Sequence, residues 1–294
     1  MRVFLRFLAI VAIFGMAGAT AQALTLYADS AGSNRIDLID PNTGTLIRSC
    51  SPAKGNGRGM VVVSNIGYYT VANSNNVYQL DINTCADLGI AFSVAGASGL
   101  STIAYDGTNF WIGDYSGTNK AYYYTITGTL IKTITLSLCT SYCDGLEFFN
   151  GKLISNRGDD INAPYDVYDT NGAVLQAAFI TPNFNATGIA YDGTNFYISN
   201  PTGGTIGVFD GTTGAFIRTL TLNGGSGFLI EDLSFDYQQV LPTPTPGGPT
   251  PTAIAPTPTP TRPAPAVVVP TLGFPMLALF GAALLGAALL LMRR

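Results

Sequence analysis

Polar side chains recur along this chain about every 43 residues, each two positions before a short apolar segment. These residues are Arg58, Ser101, Asp144, Thr187 and Glu231, and Asp232 adds a carboxylate beside the last of them. A cation that faces carboxylates in a concave site can bind a polar ligand. Asp144, Glu231 and Asp232 also carry the hard oxygen atoms that Ca²⁺ prefers, which makes calcium a candidate ligand. The alternative is a set of solvated loop residues joined by ion pairs between repeats.

Paired carboxylates could instead perform hydrolysis. In a glycoside hydrolase or lyase, Asp144 would act as the acid and Glu231 as the base or nucleophile, with about 5–10 Å between them. The chain contains no histidine. This excludes histidine bases, histidine metal ligands and Ser-His-Asp triads. We therefore predict a non-catalytic protein that acts in binding and interaction or in the extracellular matrix, keep the hydrolase or lyase as the alternative, and retain a ligand-free scaffold as a third interpretation.

The segment that carries these residues repeats internally. Residues 103–112 recur at 189–198 with only Trp111 replaced, by Tyr197, and the offset of 86 equals two steps of 43. Related segments begin near Met60, Leu146 and Leu233. A period of about 40–45 residues with several short strands per repeat is typical of a β-propeller blade. The sequence therefore predicts an all-β fold.

Each repeat is expected to form four strands separated by tight turns. The third turn of four repeats begins with an aspartate that can cap the turn backbone, namely Asp40, Asp81, Asp169 and Asp210. The chain enters at the second strand of its first repeat and ends on an extra first strand, residues 233–240. That last strand would complete the first blade and remove two open edges. We predict a five-bladed propeller over residues 24–240, and the alternative is an open or dimer-completed ring.

Two stretches of this region resemble a known repeat type. Residues 26–30 with 33–40, and residues 188–192 with 196–199, are similar to NHL and YVTN-type propeller repeats. The resemblance covers most of residues 24–240. It implies a propeller fold and points to no single activity, because such repeats serve many functions.

The N-terminus has the pattern of a secretory signal peptide. Arg2 and Arg6 precede an apolar run over residues 7–14, and small residues at 19–23 fit the cleavage rule. We predict a signal peptide over residues 1–23. The alternative is an uncleaved N-terminal anchor, for which the apolar run is short.

The C-terminal part reads as a spacer followed by a membrane segment. Residues 242–266 contain ten prolines and seven threonines, which predicts an extended linker over 241–266. No charged residue lies between Leu272 and Met292, and 21 helical residues would span roughly 31 Å, enough to cross a bilayer core. Arg293 and Arg294 then predict a cytoplasmic C-terminus. The alternative is a buried core helix.

The last residues also resemble a family of sorting signals. Val269-Pro270-Thr271-Leu272, the apolar run and Arg293-Arg294 are similar to IPTL-type tails, which are relatives of PEP-CTERM signals. Val269 replaces the usual isoleucine, and Gly273-Phe274-Pro275 departs from the usual turn. The resemblance implies a Gram-negative host and a sorting protease as a partner of segment 267–294. The body would be periplasmic while tethered to the inner membrane, or lie at the cell surface after sorting.

Charge and cysteine content narrow the partners further. Residues 24–240 hold all eighteen acidic residues and nine of the fourteen basic ones, a net charge of −9, which argues against nucleic acid and favours a surface glycan or a protein.

Four cysteines in an exported chain predict disulfides. Cys139 and Cys143 share one loop and are the favoured pair. Cys50 and Cys85 fall nominally at opposite ends of their blades, so their pairing stays open.

Overall fold

The computed structural model describes residues 24–115, 118–139, 143–158, 162–225 and 227–238. The chain divides into two compact units, Met1–Thr243 and Pro244–Arg294, and every described residue belongs to the first. The predicted signal peptide, the whole predicted linker and the C-terminal segment lie outside the described residues. Within the described ranges, no helix is long and apolar enough to cross a membrane.

The described chain forms five blades, each built from four antiparallel strands, and the sheet of blade 2 also gains a short parallel strand. Blade 1 contains β1 (Leu26–Ser30), β2 (Arg35–Ile39) and β3 (Leu46–Cys50), with a 3-10 turn at Ala31–Ser33. Blade 2 contains β4 (Gly57–Val63), β5 (Ile66–Val71), β6 (Asn76–Asp81) and β7 (Asp87–Ser93). Blade 3 contains β8 (Leu100–Tyr105), β9 (Asn109–Asp114), β10 (Lys120–Thr125) and β11 (Leu130–Thr135).

The remaining strands form blades 4 and 5 and finish the ring. Blade 4 contains β12 (Leu146–Phe149), β13 (Lys152–Asn156), β14 (Tyr165–Tyr168) and β15 (Val174–Ile180). Blade 5 contains β16 (Ile189–Tyr191), β17 (Asn195–Asn200), β18 (Thr205–Asp210) and β19 (Phe216–Thr221). The last two described strands are β20 (Ile230–Ser234) and β21 (Asp236–Tyr237). The innermost strands, which contact one another around the centre, are β20, β4, β8, β12 and β16.

The last long strand closes the ring, as the repeat spacing predicts. Strand β20 pairs antiparallel with β1, which places Ser234 opposite Tyr27 and Leu233 opposite Ala28. Blade 1 thereby gains its fourth strand from the far end of the chain. The alternatives of an open or dimer-completed ring are not observed, and the five-bladed propeller is confirmed.

The closing strand is shorter than the predicted 233–240. After Ser234 the chain leaves blade 1, and β21 pairs in parallel with β4, with Asp236 opposite Val62. This pairing supplies hydrogen-bond partners to backbone groups along part of the inner edge of β4. At the same edge, the Val62 N–H donates to Ser234 Oγ at 2.9 Å. Unpaired edge groups attract such a strand, and β21 therefore enters the central channel.

Apolar side chains pack between neighbouring blades. Five buried clusters fill the five interfaces, and their largest fully buried members include Trp111, Tyr69, Tyr124, Tyr165 and Phe196. The alternating β-branched and aromatic residues produce this arrangement because successive side chains of a strand point to opposite faces of its sheet. All the strands, clusters and disulfides described lie within residues 26–237, so residues 24–240 can fold as one body, called the propeller unit below.

The turn aspartates cap their own turns, as expected. Asn42 N–H donates to Asp40 Oδ1 at 2.8 Å, and Thr212 N–H donates to Asp210 Oδ1 at 3.0 Å. Equivalent bonds occur at Asp81 and Asp169. These bonds lower the pKa of the Asp40, Asp81 and Asp210 carboxyls, because they favour the charged form.

Both cysteine pairs form disulfides. Cys139 is joined to Cys143, as predicted, and Cys50 is joined to Cys85 with 5.2 Å between their Cα atoms. Strand twist explains the second pair, because Cys50 and Cys85 would lie at opposite ends of their blades only if the strands were untwisted. The outermost strand of a blade leans over the third turn of the next blade, so that Gly172 packs directly against the Thr135 carbonyl. Cys50 and Cys85 occupy the equivalent places at the interface of blades 1 and 2.

Candidate functional site

The six residues predicted to ring the channel mouth lie at one end of the propeller, called the upper end below. Arg58, Ser101 and Glu231 are the second residues of β4, β8 and β20. Asp144 and Thr187 lie two positions before the first residues of β12 and β16. The blades share one topology and their innermost strands contact one another, so this set surrounds a common centre.

Two members of the set join neighbouring blades. Ser101 is fully buried and donates to the Cys143 carbonyl at 2.8 Å. Thr187 is also buried, lies 3.0 Å from Ser199 Oγ and donates to the Ile230 carbonyl at 3.4 Å. Buried hydroxyls of this kind need such partners. Ser101 and Thr187 therefore hold the ring together at the place where the sequence predicts ligand contacts.

Asp232 closes the upper end of the channel. Its Oδ2 accepts from Met60 N–H at 2.9 Å and from Thr102 Oγ1 at 3.2 Å. Its Oδ1 accepts from Leu233 N–H at 2.9 Å and from Ile189 N–H at 3.3 Å. One carboxyl thus links blades 1, 2, 3 and 5. Burial raises the pKa of Asp232 well above its ordinary value, while the N–H donors act in the opposite direction.

The channel closes tightly here because glycine lets the strands approach. A Cβ on Gly188 would overlap the Cα of Asp232, and a Cβ on Gly145 would overlap the Thr187 carbonyl oxygen. Only a residue without a side chain fits at either place. Among the described residues, the strands therefore leave no open channel at the level of Asp232, and an accessible pocket lies to its side.

The carboxylates nominated for hydrolysis occupy different environments. Asp144 is 5 % exposed, and its N–H donates to Asn156 Oδ1. Glu231 pairs with Arg58, whose Nη1 lies 3.1 Å from Oε2. Burial raises the pKa of Glu231 and the Arg58 charge lowers it. Within the described ranges, no three metal-ligating side chains form a group able to hold an ion. Calcium binding by Asp144, Glu231 and Asp232, and a catalytic role for the first two, stay predictions.

A second buried carboxyl near Arg58 escapes sequence reasoning. Asp29 in β1 is 2 % exposed, and its Oδ2 has no hydrogen-bond partner among the residues that the structure describes. The carboxyl packs against Gly57, where it takes the space of a Cβ. Burial raises the pKa of Asp29 well above its ordinary value, Glu231 adds to that rise, and Arg58 opposes it. The only sequence signal is position, since Asp29 aligns with Thr70, Asn156 and Ser199 of the other blades.

A pocket at the upper end lies between blades 2 and 3 and is called the upper pocket. It encloses about 270 Å³. It is lined by Asn56, Arg58, Ala72, Asn73, Ser98, Gly99, Leu100 and Tyr115. The guanidinium carbon of Arg58 lies 5.8 Å from the Tyr115 ring centroid. Arg58 thus connects the buried ring at the channel to a solvent-accessible concave surface.

The polar character of the upper pocket follows from loop geometry. Asn56 and Asn73 have φ angles of +59° and +58°, which asparagine tolerates better than most residues. Such loops place side-chain amides at the surface of a rigid scaffold. Of the predicted residues only Arg58 lines this pocket. Asn73 and Tyr115 follow strands β5 and β9, and nothing in their local sequence separates them from ordinary loop residues.

The lower end of the channel is filled by β21, the last described strand. Tyr237 Oη lies 2.6 Å from Glu147 Oε2 and 3.2 Å from the Tyr191 carbonyl oxygen. Glu147 is 2 % exposed, and burial raises its pKa to about 8. A signal for this cluster exists in the repeat, because Glu147 stands where the aligned repeats carry Val61, Ala104 and Ala190. That exception marks Glu147 as unusual, whereas Tyr237 could not be identified as its partner.

The comparisons with known proteins support the fold alone. No protein-family model matches this chain, and no curated protein matches it. A chain in the crystal structure of a nidogen–laminin complex is similar with a TM-score of 0.50 and 12% identity, and the match covers 72% of this chain and 97% of that one. A protein of unknown function from Bacteroides caccae is similar with a TM-score of 0.50 and 13% identity, over 73% of this chain and 99% of that one.

Proposed function

We propose that this protein is an exported, non-catalytic binding protein that holds a neutral glycan in the upper pocket. The upper pocket itself carries the proposal. Its volume of about 270 Å³ is close to the lower end of the ~300–1,000 Å³ of small-molecule sites. Arg58, Asn56, Asn73 and Ser98 bring donors and acceptors to one concave surface, which suits a ligand with many hydroxyls.

Charge favours a neutral ligand over an anionic one. The propeller unit carries a net charge of −9, which repels polyanions. Arg58 is the cation of the upper pocket, and Glu231 already balances its charge at 3.1 Å. The guanidinium group has five N–H donors, so the pair still leaves donors for sugar hydroxyls.

Export is consistent with the covalent structure. The bonds Cys50–Cys85 and Cys139–Cys143 persist in oxidising compartments. The proline-rich stretch 242–266 of the predicted linker contains 25 residues, and at ~3.1 Å per residue it would reach roughly 78 Å when extended. A spacer of that length would hold the upper pocket away from a membrane while the C-terminal segment, together with a sorting protease, determines whether the protein stays tethered.

A glycan array probed with the propeller unit tests the proposal. We expect saturable binding to a neutral glycan, and at least tenfold weaker binding for Arg58→Leu. The matched control is Lys54→Leu, which removes an exposed cation from the loop before β4 but does not line the pocket. Equal losses of glycan affinity in both variants would show that the loss comes from the change in net charge and not from a contact in the upper pocket. If the wild type turns over a glycan and Asp144→Asn abolishes that turnover, the hydrolase alternative is correct and the proposal of a non-catalytic binding protein is wrong.

A further inference from the structure

Three of the five blade interfaces share a half-buried cationic contact. The cations are Arg48, Lys132 and Arg218. They occupy the same position in the outermost strands β3, β11 and β19, because each pairs with the residue that lies two positions before the third turn of its own blade. Each donates to a carbonyl in the third turn of the next blade. Lys132 reaches the Thr170 carbonyl at 2.7 Å, Arg218 reaches that of Pro41 at 2.8 Å, and Arg48 reaches that of Ile82.

The interface between blades 4 and 5 lacks this cation. Gln176 pairs with Val167 in the same register and so takes the equivalent position of β15. Gln176 is exposed and makes no side-chain hydrogen bond to any described residue. The corresponding turn of blade 5 begins at Asp210, and its second residue is Gly211. Between blades 2 and 3, Phe92 packs against Gly128 instead.

A cavity of about 220 Å³ lies where the cation is missing. This cavity, called the notch, is lined by Phe149, Asn150, Lys152, Val167, Gln176, Phe179, Gly211 and Thr212. The Phe149 and Phe179 rings stack with 6.3 Å between their centroids. Aromatic rings accept cations on their faces, and Lys132 already lies 5.3 Å from the Trp111 ring centroid at its own interface.

The strand beside the notch is open to a partner. β15 is the outermost strand of blade 4, and residues 174–178 are all exposed. Its seven residues include no charge, whereas β3, β11 and β19 each carry the cation described above. An uncharged edge strand can accept an extended segment of another chain.

We infer that the notch binds the arginine side chain of an extended, basic partner polypeptide, which supplies in trans the contact that Arg48, Lys132 and Arg218 make in cis. The net charge of −9 on the propeller unit favours such a partner. Lys152 lines the notch and opposes a cation, so its charge weakens the site. This site is separate from the upper pocket and does not depend on glycan binding.

NMR titration of the propeller unit with N-acetyl-arginine amide tests the inference. We expect saturable shifts of the Gln176 and Thr212 amides with a dissociation constant on the order of 1 mM. The uncharged isostere N-acetyl-citrulline amide should bind at least tenfold more weakly. Lys152→Gln should bind arginine amide about threefold more tightly, because it removes the opposing charge.

Gln176→Arg provides the matched variant, since its own side chain can reach Gly211 as Arg218 reaches Pro41. It should abolish the shifts and raise the melting temperature, and the second measurement shows that the variant is folded. Absence of saturable shifts in the wild type, equal binding of citrulline amide, or preferential binding of N-acetyl-glutamate amide through Lys152 would each overturn the inference.

Discussion

The hydroxyl of Tyr237 lies 2.6 Å from Oε2 of Glu147 inside the channel, and this contact joins residues 90 positions apart. Glu147 belongs to blade 4, whereas Tyr237 follows the strand that closes blade 1. Asp232, which lies in the preceding strand β20, closes the upper end of the same channel. The terminal segment therefore both completes the ring and fills its centre, which leaves ligand binding to surfaces beside the channel.

Replacing Glu147 by glutamine should remove a pH dependence of stability. The pKa of Glu147 is raised from 4.5 to about 8, so the folded protein holds a proton that the unfolded chain releases. That contribution is complete below the unfolded pKa and is lost as the pH rises through the folded one, up to roughly 5 kcal/mol. Denaturant unfolding between pH 4.5 and 9 should show this decline in the wild type and a much flatter profile in Glu147→Gln.

The control for that series is Asp87→Asn, which changes an exposed carboxyl on β7. It should retain the decline of the wild type. A Glu147→Gln profile that falls with pH as steeply as the wild-type profile would show that Glu147 does not carry the proton.

Removing the Tyr237 hydroxyl should destabilise the closed ring. In Tyr237→Phe the buried Glu147 carboxyl loses its hydroxyl partner, at a cost of about 1–3 kcal/mol. The same bond lowers the pKa of Glu147, so its loss should move the pH-dependent decline to higher pH. Tyr191→Phe is the control, since it removes an exposed hydroxyl that donates to the Gly193 carbonyl. Equal stability losses in the two variants would contradict a special role for the channel contact.

Asp29→Asn should protect the propeller at alkaline pH. Burial and Glu231 raise the pKa of Asp29, Asp37 adds to the rise, and Arg58 opposes it. The stability that the proton provides is full below the unfolded pKa and is lost as the pH rises through the folded pKa. The amide cannot ionise, so we expect Asp29→Asn to exceed the wild type by about 1–3 kcal/mol at pH 8.5, and to match it near pH 4. Lower stability of the variant at both pH values would count against a protonated Asp29.

The two disulfides should differ in their contribution to stability. Cys50 and Cys85 are 35 residues apart, whereas Cys139 and Cys143 are 4 apart. Loop-closure entropy predicts a loss of about 4 kcal/mol for the double serine variant of the first pair and about 2 kcal/mol for the second. Urea unfolding of both variants measures the difference, and a larger loss for the second pair would contradict the entropic account.

The repeat made the ring predictable. The recurrence of residues 103–112 with one replacement fixes the period, and the position of Tyr27 within its repeat shows that the first blade lacks a strand, which β20 supplies. The turn aspartates were predictable for the same reason, because a local motif determines their bonds. Each of these inferences uses only residues that are close in sequence or related by the period.

The details of the site depend on distances between strands that the spacing of the repeats cannot predict. Arg58 was predicted to lie at the upper end, but the collapse of the channel around Asp232 depends on how closely Gly145 and Gly188 let the strands approach. The bond Cys50–Cys85 arises from accumulated strand twist. Tyr237 reaches Glu147 only because the chain turns into the channel after Ser234, a path that no local pattern in residues 233–240 predicts.

The crystal structure of the propeller unit with its tightest-binding neutral glycan tests the central claim most directly. We predict that a sugar ring occupies the upper pocket, within hydrogen-bond distance of Arg58 and in contact with Tyr115, while Asp232 still bonds to Thr102. A glycan bound on another face, or within a channel opened by separation of Asp232 from Thr102, would contradict the account.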